Sequence, residues 1–174
     1  RSAARTGDAV TLAPALTIGL ADYQDPRDAD EVVALLDAYA RDPMGGGTPL
    51  TEEVKTRLPG DLAANPHAFS LLARLDDEAV GLANCFMGYS TFAAAPLVNI
   101  HDFAVVAGRR SAGIGRALLA AVEAEALKRG ATKVTLEVLS GNHPARRLYA
   151  ANGYGDYQLD PQAGQALFWQ KRLT

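Results

Sequence analysis

Arg110-Ser111-Ala112-Gly113-Ile114-Gly115 decides how this chain is read. The stretch follows an apolar segment, Leu97 to Val106, and opens a run in which Ile114, Ala117, Leu118, Ala121 and Val122 recur at helical spacing. A glycine turn between a strand and an amphipathic helix lets the backbone approach a ligand closely. The first helical turn adds unpaired N–H groups at the positive end of the helix dipole. With Arg109, Arg110 and Arg116 beside it, the turn suits a pyrophosphate; the plainer reading is that glycine sits there for steric reasons alone. Two other phosphate motifs fail. A dinucleotide fingerprint needs a third glycine where Leu118 stands, and a P-loop needs Gly-Lys-Ser/Thr where the chain has Gly115-Arg116-Ala117.

Upstream of the turn, Leu16 to Leu20 reads as a strand, and Asp28 to Glu31 supplies acids for a helix carrying Val32, Leu35, Leu36 and Tyr39 on one face. Gly45-Gly46-Gly47, between Pro43 and Pro49, reads as a mobile loop that either covers a substrate pocket or simply connects. Thr51 restarts a short helix ending near Pro59-Gly60. Ala68 to Leu75 and Ala79 to Tyr89, split by Asp76-Asp77-Glu78, read as a hairpin. Downstream, Lys128, Arg129 and Gly130 end the helix, and Lys133 to Leu139 alternates as a strand. Pro144 and Gly153 bracket a helix over Ala145 to Asn152, and Tyr154 to Leu159 and Ala166 to Leu173 read as two last strands.

Composition narrows the class. The 174 residues suit one domain, residues 16–174, behind a flexible or added tail, residues 1–15. Seventeen basic against twenty acidic residues give a net charge of −3, which argues against a protein that tracks nucleic-acid phosphates. Cys85 is the single cysteine, so no internal disulfide forms, and a lone buried thiol fits it better than a nucleophile. His67 and His143 lack partners at metal-ligand spacing, so no metal is expected. No apolar run reaches the ~20 residues of a membrane span, and Arg1 to Ala15 does not read as a signal peptide. A cytoplasmic protein is expected.

A second constellation follows the strand after the helix: Asn142-His143-Pro144-Ala145-Arg146-Arg147-Leu148-Tyr149-Ala150-Ala151-Asn152-Gly153-Tyr154. Together with Val105 through Leu119 it resembles the GNAT superfamily of acyl-CoA-dependent N-acetyltransferases. The first segment matches that family's Arg/Gln-x-x-Gly-x-Gly/Ala signature, the second its Asn…Leu-Tyr…Gly-Tyr segment, and the likeness covers roughly Leu16 to Leu173. Ala107 stands where proline is common and Ser111 where glycine is common; neither removes an N–H donor. The resemblance implies a single-domain α/β fold: a mixed, mostly antiparallel central sheet flanked by helices, with a splayed parallel strand pair forming the acyl-CoA cleft. It further implies that acetyl-CoA is the cosubstrate. Backbone N–H groups of Arg110, Ser111, Ala112, Gly113, Ile114, Gly115 and Arg116 would cradle its pyrophosphate. Phe103, Ala104 and Val105 would bind the pantetheine arm, and Asn142 would contact the cofactor or else cap its helix.

Acetyl transfer to an amine needs a base, oxyanion stabilisation and an acid for the departing thiolate. The resemblance makes Tyr149 the acid; its other reading is a core aromatic. On the strand before the glycine turn, His101 and Asp102 are the candidate bases, with a water held by either as the third option. Imidazole titrates near neutrality and suits the task; a structural histidine bonded to Asp102 is the plainer reading. Strict alternation places His101 with Asn99 on one face and Asp102 on the other, unless a bulge intervenes. Asn84, Phe86 and Tyr89 are candidates for the substrate side, Arg146 and Arg147 for the CoA 3′-phosphate or a solvated helix face, and Phe168 and Trp169 for an aromatic wall, core or dimer contact. The expected acceptor is a primary amine of a small molecule, attacked directly through a tetrahedral intermediate. A non-catalytic acyl-CoA-binding module and a protein or peptide acetyltransferase are the alternatives. A homodimer is left open.

Overall fold

The computed structural model describes residues 15–110, 112–157, 160, 162, 164 and 166–173. Residues 1–14, Ser111 and the last two residues of the strand expected over Tyr154 to Leu159 lie outside the described residues. The chain forms two compact units, Arg1–Glu137 and Val138–Thr174.

The first unit runs β1 (Leu16–Leu20), α1 (Pro26–Arg41), a 3-10 turn (Pro43–Gly45), α2 (Glu52–Ala64), β2 (Ala68–Leu75), β3 (Glu78–Ser90), β4 (Ala95–Val105), α3 (Ile114–Lys128) and β5 (Val134–Leu136). Its five strands lie in sequence order; β1 to β4 pair antiparallel and β5 joins β4 in parallel. Asp76 and Asp77 both take positive φ, 49° and 71°, so the β2–β3 turn has the primed geometry that matches strand twist. Such φ values are tolerated by aspartate better than by most residues.

Alternation sends each strand's side chains to two layers. On one face Leu72 and Leu82 form a core with Val32 and Leu35 of α1 and Leu62 of α2, and Phe86 and Tyr23 pack at its margin. Full burial of each such leucine stabilises by about 1.5–3 kcal/mol. On the other face lies α3, which buries Ile114, Leu118, Leu119 and Val122. A Cβ on Gly81 would stand 3.2 Å from the Ala73 Cβ, so a larger residue there would press on β2.

Several boundaries differ from the sequence reading. Helix α1 starts at Pro26, ahead of the expected acids, because the Asp25 side chain accepts from the Arg27 and Asp28 N–H groups. Helix α2 continues through Pro59 to Ala64: proline removes a single N–H, and Leu62, buried in the core beyond it, holds the last turn. The triple-glycine loop, expected to be mobile, opens with an ordered 3-10 turn. There the Asp42 carbonyl accepts from Gly45 and Gly47, and Thr48 donates to Ala40. A Cβ on Gly45 would fall 1.9 Å from the Tyr39 carbonyl, so only glycine fits where the turn presses on the end of α1.

The second unit carries α4 (His143–Ala151), with Asn142 as its cap and Pro144 in its first turn. The two strands expected after it are not found among the described residues of Tyr154 to Leu159 and Ala166 to Leu173. Strand preference expresses packing on a half-buried pleated surface. Here Leu167, Phe168 and Trp169 are 71%, 79% and 83% exposed, so the described residues offer them little surface to pack on. Phe168 and Trp169 therefore belong to no core formed by the described residues.

Candidate functional site

Strand β4 holds the first part of the site. Asn84 of β3 lies opposite Asp102 and Cys85 lies opposite Ile100, which leaves His101 as an extra residue, a β-bulge. The bulge breaks strict alternation, so His101 and Asp102 come to one face instead of two. The His101 ring meets Phe86 edge-on at 5.6 Å between centroids, and Asp102 Oδ2 accepts from Asn84 Nδ2 at 3.0 Å. Phe86 and Leu82 belong to the layer under α1, and Asn84 alternates in phase with them. His101 is exposed and Asp102 half-buried.

The same bulge lies where β4 loses its outer neighbour. Strand β5 pairs with β4 only from Val98 to Ile100, and among the described residues no strand flanks that edge from His101 to Val105. The Val106 N–H donates to Val80 of β3, so by alternation Ala104 also turns its backbone toward β3, while Phe103 and Val105 turn theirs to the open edge. The Val105 carbonyl there accepts from Arg110 Nε at 3.0 Å.

Behind Asp102 runs a buried polar chain. Asn84 Oδ1 accepts from Ser70 Oγ at 2.5 Å, and Ser70 Oγ lies 2.7 Å from the Tyr23 hydroxyl. Asn84 and Ser70 are 3% and 1% exposed. Burial raises the Tyr23 pKa, and the hydrogen bond it shares with Ser70 opposes the shift. Tyr39, at the end of α1, is raised too, first by burial and then by the nearby charges of Asp102 and Asp42. Burial pushes the Cys85 thiol up to about 12, so it is no nucleophile at neutral pH.

The glycine turn forms the second part. Gly113 caps α3 with φ 80°, a left-handed conformation that glycine adopts without strain, and no side chain caps the helix. Ala117 makes the first described backbone bond of α3, to Gly113, so the Ile114, Gly115 and Arg116 amides have no acceptor within the helix. Such a terminus fits a pyrophosphate. The flanking charge is less open than the sequence suggests. The Arg110 guanidinium pairs with Asp42 at 2.8 Å and Arg109 with Glu78 at 3.4 Å, while Arg116 forms no ion pair among the described residues. The hydrogen bond from Arg110 holds the Asp42 carboxyl below its ordinary value, aided by the Met44 N–H. Ser111 lies outside the described residues.

In the second unit, Asn142 Oδ1 accepts from the Ala145 N–H at 3.3 Å, the capping role among its two expected ones. Tyr149 is buried, with its ring 6.1 Å from that of Tyr154. Arg146 donates to the Ser140 carbonyl, and Arg146 and Arg147 both lie on an exposed face. Elsewhere, a shallow groove of about 420 Å³ runs between α1 and α2, lined by Asp30, Asp37 and Lys55 among others. It contains none of the expected site residues.

Sequence reasoning missed the roles of Tyr23, Ser70 and Asp42. A signal existed for Ser70 and Asn84, since each is a polar residue set between apolar neighbours in a strand. None existed for Asp42, far from Arg110 in the chain.

A sheet strand with an open edge, leading to an uncapped helix terminus, is an α/β arrangement with room for an extended anionic ligand. The chain belongs to the acetyltransferase (GNAT) family, whose model matches residues 32–154, and is thus an acyl-CoA-dependent N-acetyltransferase. It is 27% identical over 151 residues to the uncharacterized N-acetyltransferase YhfO of Bacillus subtilis (strain 168), covering 87% of this chain and 86% of that one. Its fold is that of an aminoglycoside acetyltransferase from an uncultured soil metagenomic sample, solved in complex with sisomicin (TM-score 0.71, 16% identity, 90% of this chain and 97% of that one). An aminoglycoside N-acetyltransferase in complex with CoA is similar as well (TM-score 0.73, 18% identity, 95% and 100% covered). No described helix is long and apolar enough to cross a membrane.

Proposed function

We propose that this enzyme transfers the acetyl group of acetyl-CoA directly to a primary amine of a small molecule in the cytoplasm. The observation that carries the reading is the bulge, which sets His101 and Asp102 side by side where β5 leaves β4. Acetyl-CoA supplies an activated acyl group. The Ile114, Gly115 and Arg116 amides bind its pyrophosphate, and the β4 edge from Phe103 to Val105 receives the pantetheine arm through backbone hydrogen bonds. Since the Val105 carbonyl already accepts from Arg110, its N–H is the group that strand position offers. The Asp102 carboxylate attracts and orients the acceptor's ammonium. His101 takes a proton from that nitrogen and makes it nucleophilic. Tyr149, assigned by its place in the family's Leu-Tyr segment, gives a proton to the departing sulfur.

Solved neighbours that carry aminoglycoside acetyltransferase names favour a small polar amine as acceptor. A thiol-release assay over polyamines, amino acids, aminoglycosides and a lysine peptide tests the reading, with turnover expected on a small-molecule amine. Turnover on the peptide alone overturns the acceptor class, and CoA binding without thiol release on any amine overturns the enzyme. Tyr149→Phe should lower kcat by about a hundredfold with little change in acetyl-CoA affinity. Wild-type turnover in that variant removes the acid assignment.

A further inference from the structure

Ser70 and Asn84 are costly where they stand. Each interrupts an apolar strand at a site almost closed to water, where apolar pairs of the same shape can be nearly neutral or even stabilising. Stability alone gives no reason for them, but their direction does. An ionised carboxylate only accepts hydrogen bonds, so Asp102 forces Asn84 to present its NH2 group. That turns Asn84 Oδ1 toward Ser70, which must donate. The Ser70 oxygen is then left to accept from the Tyr23 hydroxyl. Each link has one allowed direction, and all of them point at Asp102.

We propose that Tyr23, Ser70 and Asn84 form a one-way hydrogen-bond chain that holds the Asp102 carboxylate in the orientation that receives the acceptor's ammonium group. This rests on the reading of Asp102 given above. Asn84, Ser70 and Tyr23 are positioning residues: they act through Asp102 and touch no substrate. The chain anchors the carboxylate from beneath the sheet's α1 face, through residues of α1's approach, β2 and β3, and so makes its position a property of the core.

The test is kinetic and spectroscopic, on the full chain. With acetyl-CoA and the most active amine of the panel, Asn84→Leu should raise the amine KM about tenfold, Ser70→Ala by less, and Tyr23→Phe about twofold. The acetyl-CoA KM and kcat should stay near wild type. In an Asp102→Asn background the three substitutions should add nothing further, because the group they position is gone. Without any acceptor, the carboxyl carbon resonance of Asp102, assigned by its loss in Asp102→Asn, should move in the same order across the three variants. Tyr23→Phe, which removes only a hydroxyl, keeps the test alive if Asn84→Leu fails to fold. An Asp102→Asn enzyme with unchanged amine KM overturns the role of Asp102 and this chain with it. An impaired Asp102→Asn beside unaffected positioning variants, or costs that add in the double variants, overturns the chain alone. A resonance unmoved by all three substitutions does so without any turnover.

Discussion

The two edges of β4 do different work. Toward β3 the strand is paired along its whole length, from Ala95 opposite Ser90 to Val105 opposite Gly81, interrupted only at the bulge. Toward β5 it is paired from Val98 to Ile100 and then flanked by no described strand. The closed edge carries the core residues Leu82, Ala83 and Cys85 of β3. The open edge begins at His101 and leads to the start of α3. One strand is thus scaffold on one side and, in the function proposed above, site on the other, and substitutions should separate the two.

The largest expected effect breaks the open side. His101→Ala should lower kcat by about a hundredfold to ten-thousandfold, while thermal stability stays near wild type because the side chain is exposed. Equal kcat in the variant, measured by thiol release, moves the proton transfer to Asp102 or water. The next effect falls on the closed side. Leu82→Ala should cost about 2–5 kcal/mol in chemical denaturation, with kcat per folded molecule unchanged; Leu82 is wholly buried beneath α1. A matching drop in kcat would mean the edges are not separable.

Gly113→Val probes the far end of the open edge. Its positive φ strains a branched side chain by about 1–2 kcal/mol, so the acetyl-CoA KM should rise by about tenfold and the amine KM stay unchanged. The smallest effect concerns pH. Arg110 holds the Asp42 carboxyl below its ordinary 3.8, so the pair stabilises the fold above that pH, and the gain is lost as pH falls through the lowered value. Asp42→Asn should flatten that part of the acid unfolding curve by no more than about 1 kcal/mol, since Arg110 is half exposed. The Cys85 thiol works at the other extreme: raised from 9.0 to about 12, it contributes stability below pH 9 that is lost as pH climbs toward 12.

Local signals explain what was legible in the sequence. The apolar strand before the glycine turn and the spaced Leu118 and Val122 after it lie within one contiguous stretch, and strand and helix came out as read. So did the hairpin around Asp76 and Asp77, where the turn residues are themselves the signal. The bulge was not legible. Nothing in Asn99-Ile100-His101-Asp102-Phe103 marks an extra residue, because a bulge is a relation between β4 and the register of β3. The polar chain was hidden for a similar reason: Tyr23 and Ser70 lie 47 residues apart and meet only after β2 docks beneath the approach to α1. The two expected C-terminal strands, not found among the described residues, show the converse case. Leu167, Phe168 and Trp169 have strand-forming side chains, but composition cannot supply an edge to pair with or a surface to cover.

The bulge also bears on how such a site is inherited. His101 is supernumerary to the ladder: deleting it would leave Asn84 opposite Asp102 and Cys85 opposite Ile100 as consecutive ordinary pairs. The sheet's register therefore places no demand on the identity, or even the presence, of that residue. The side chain at this point can change while every partner in the scaffold keeps its place.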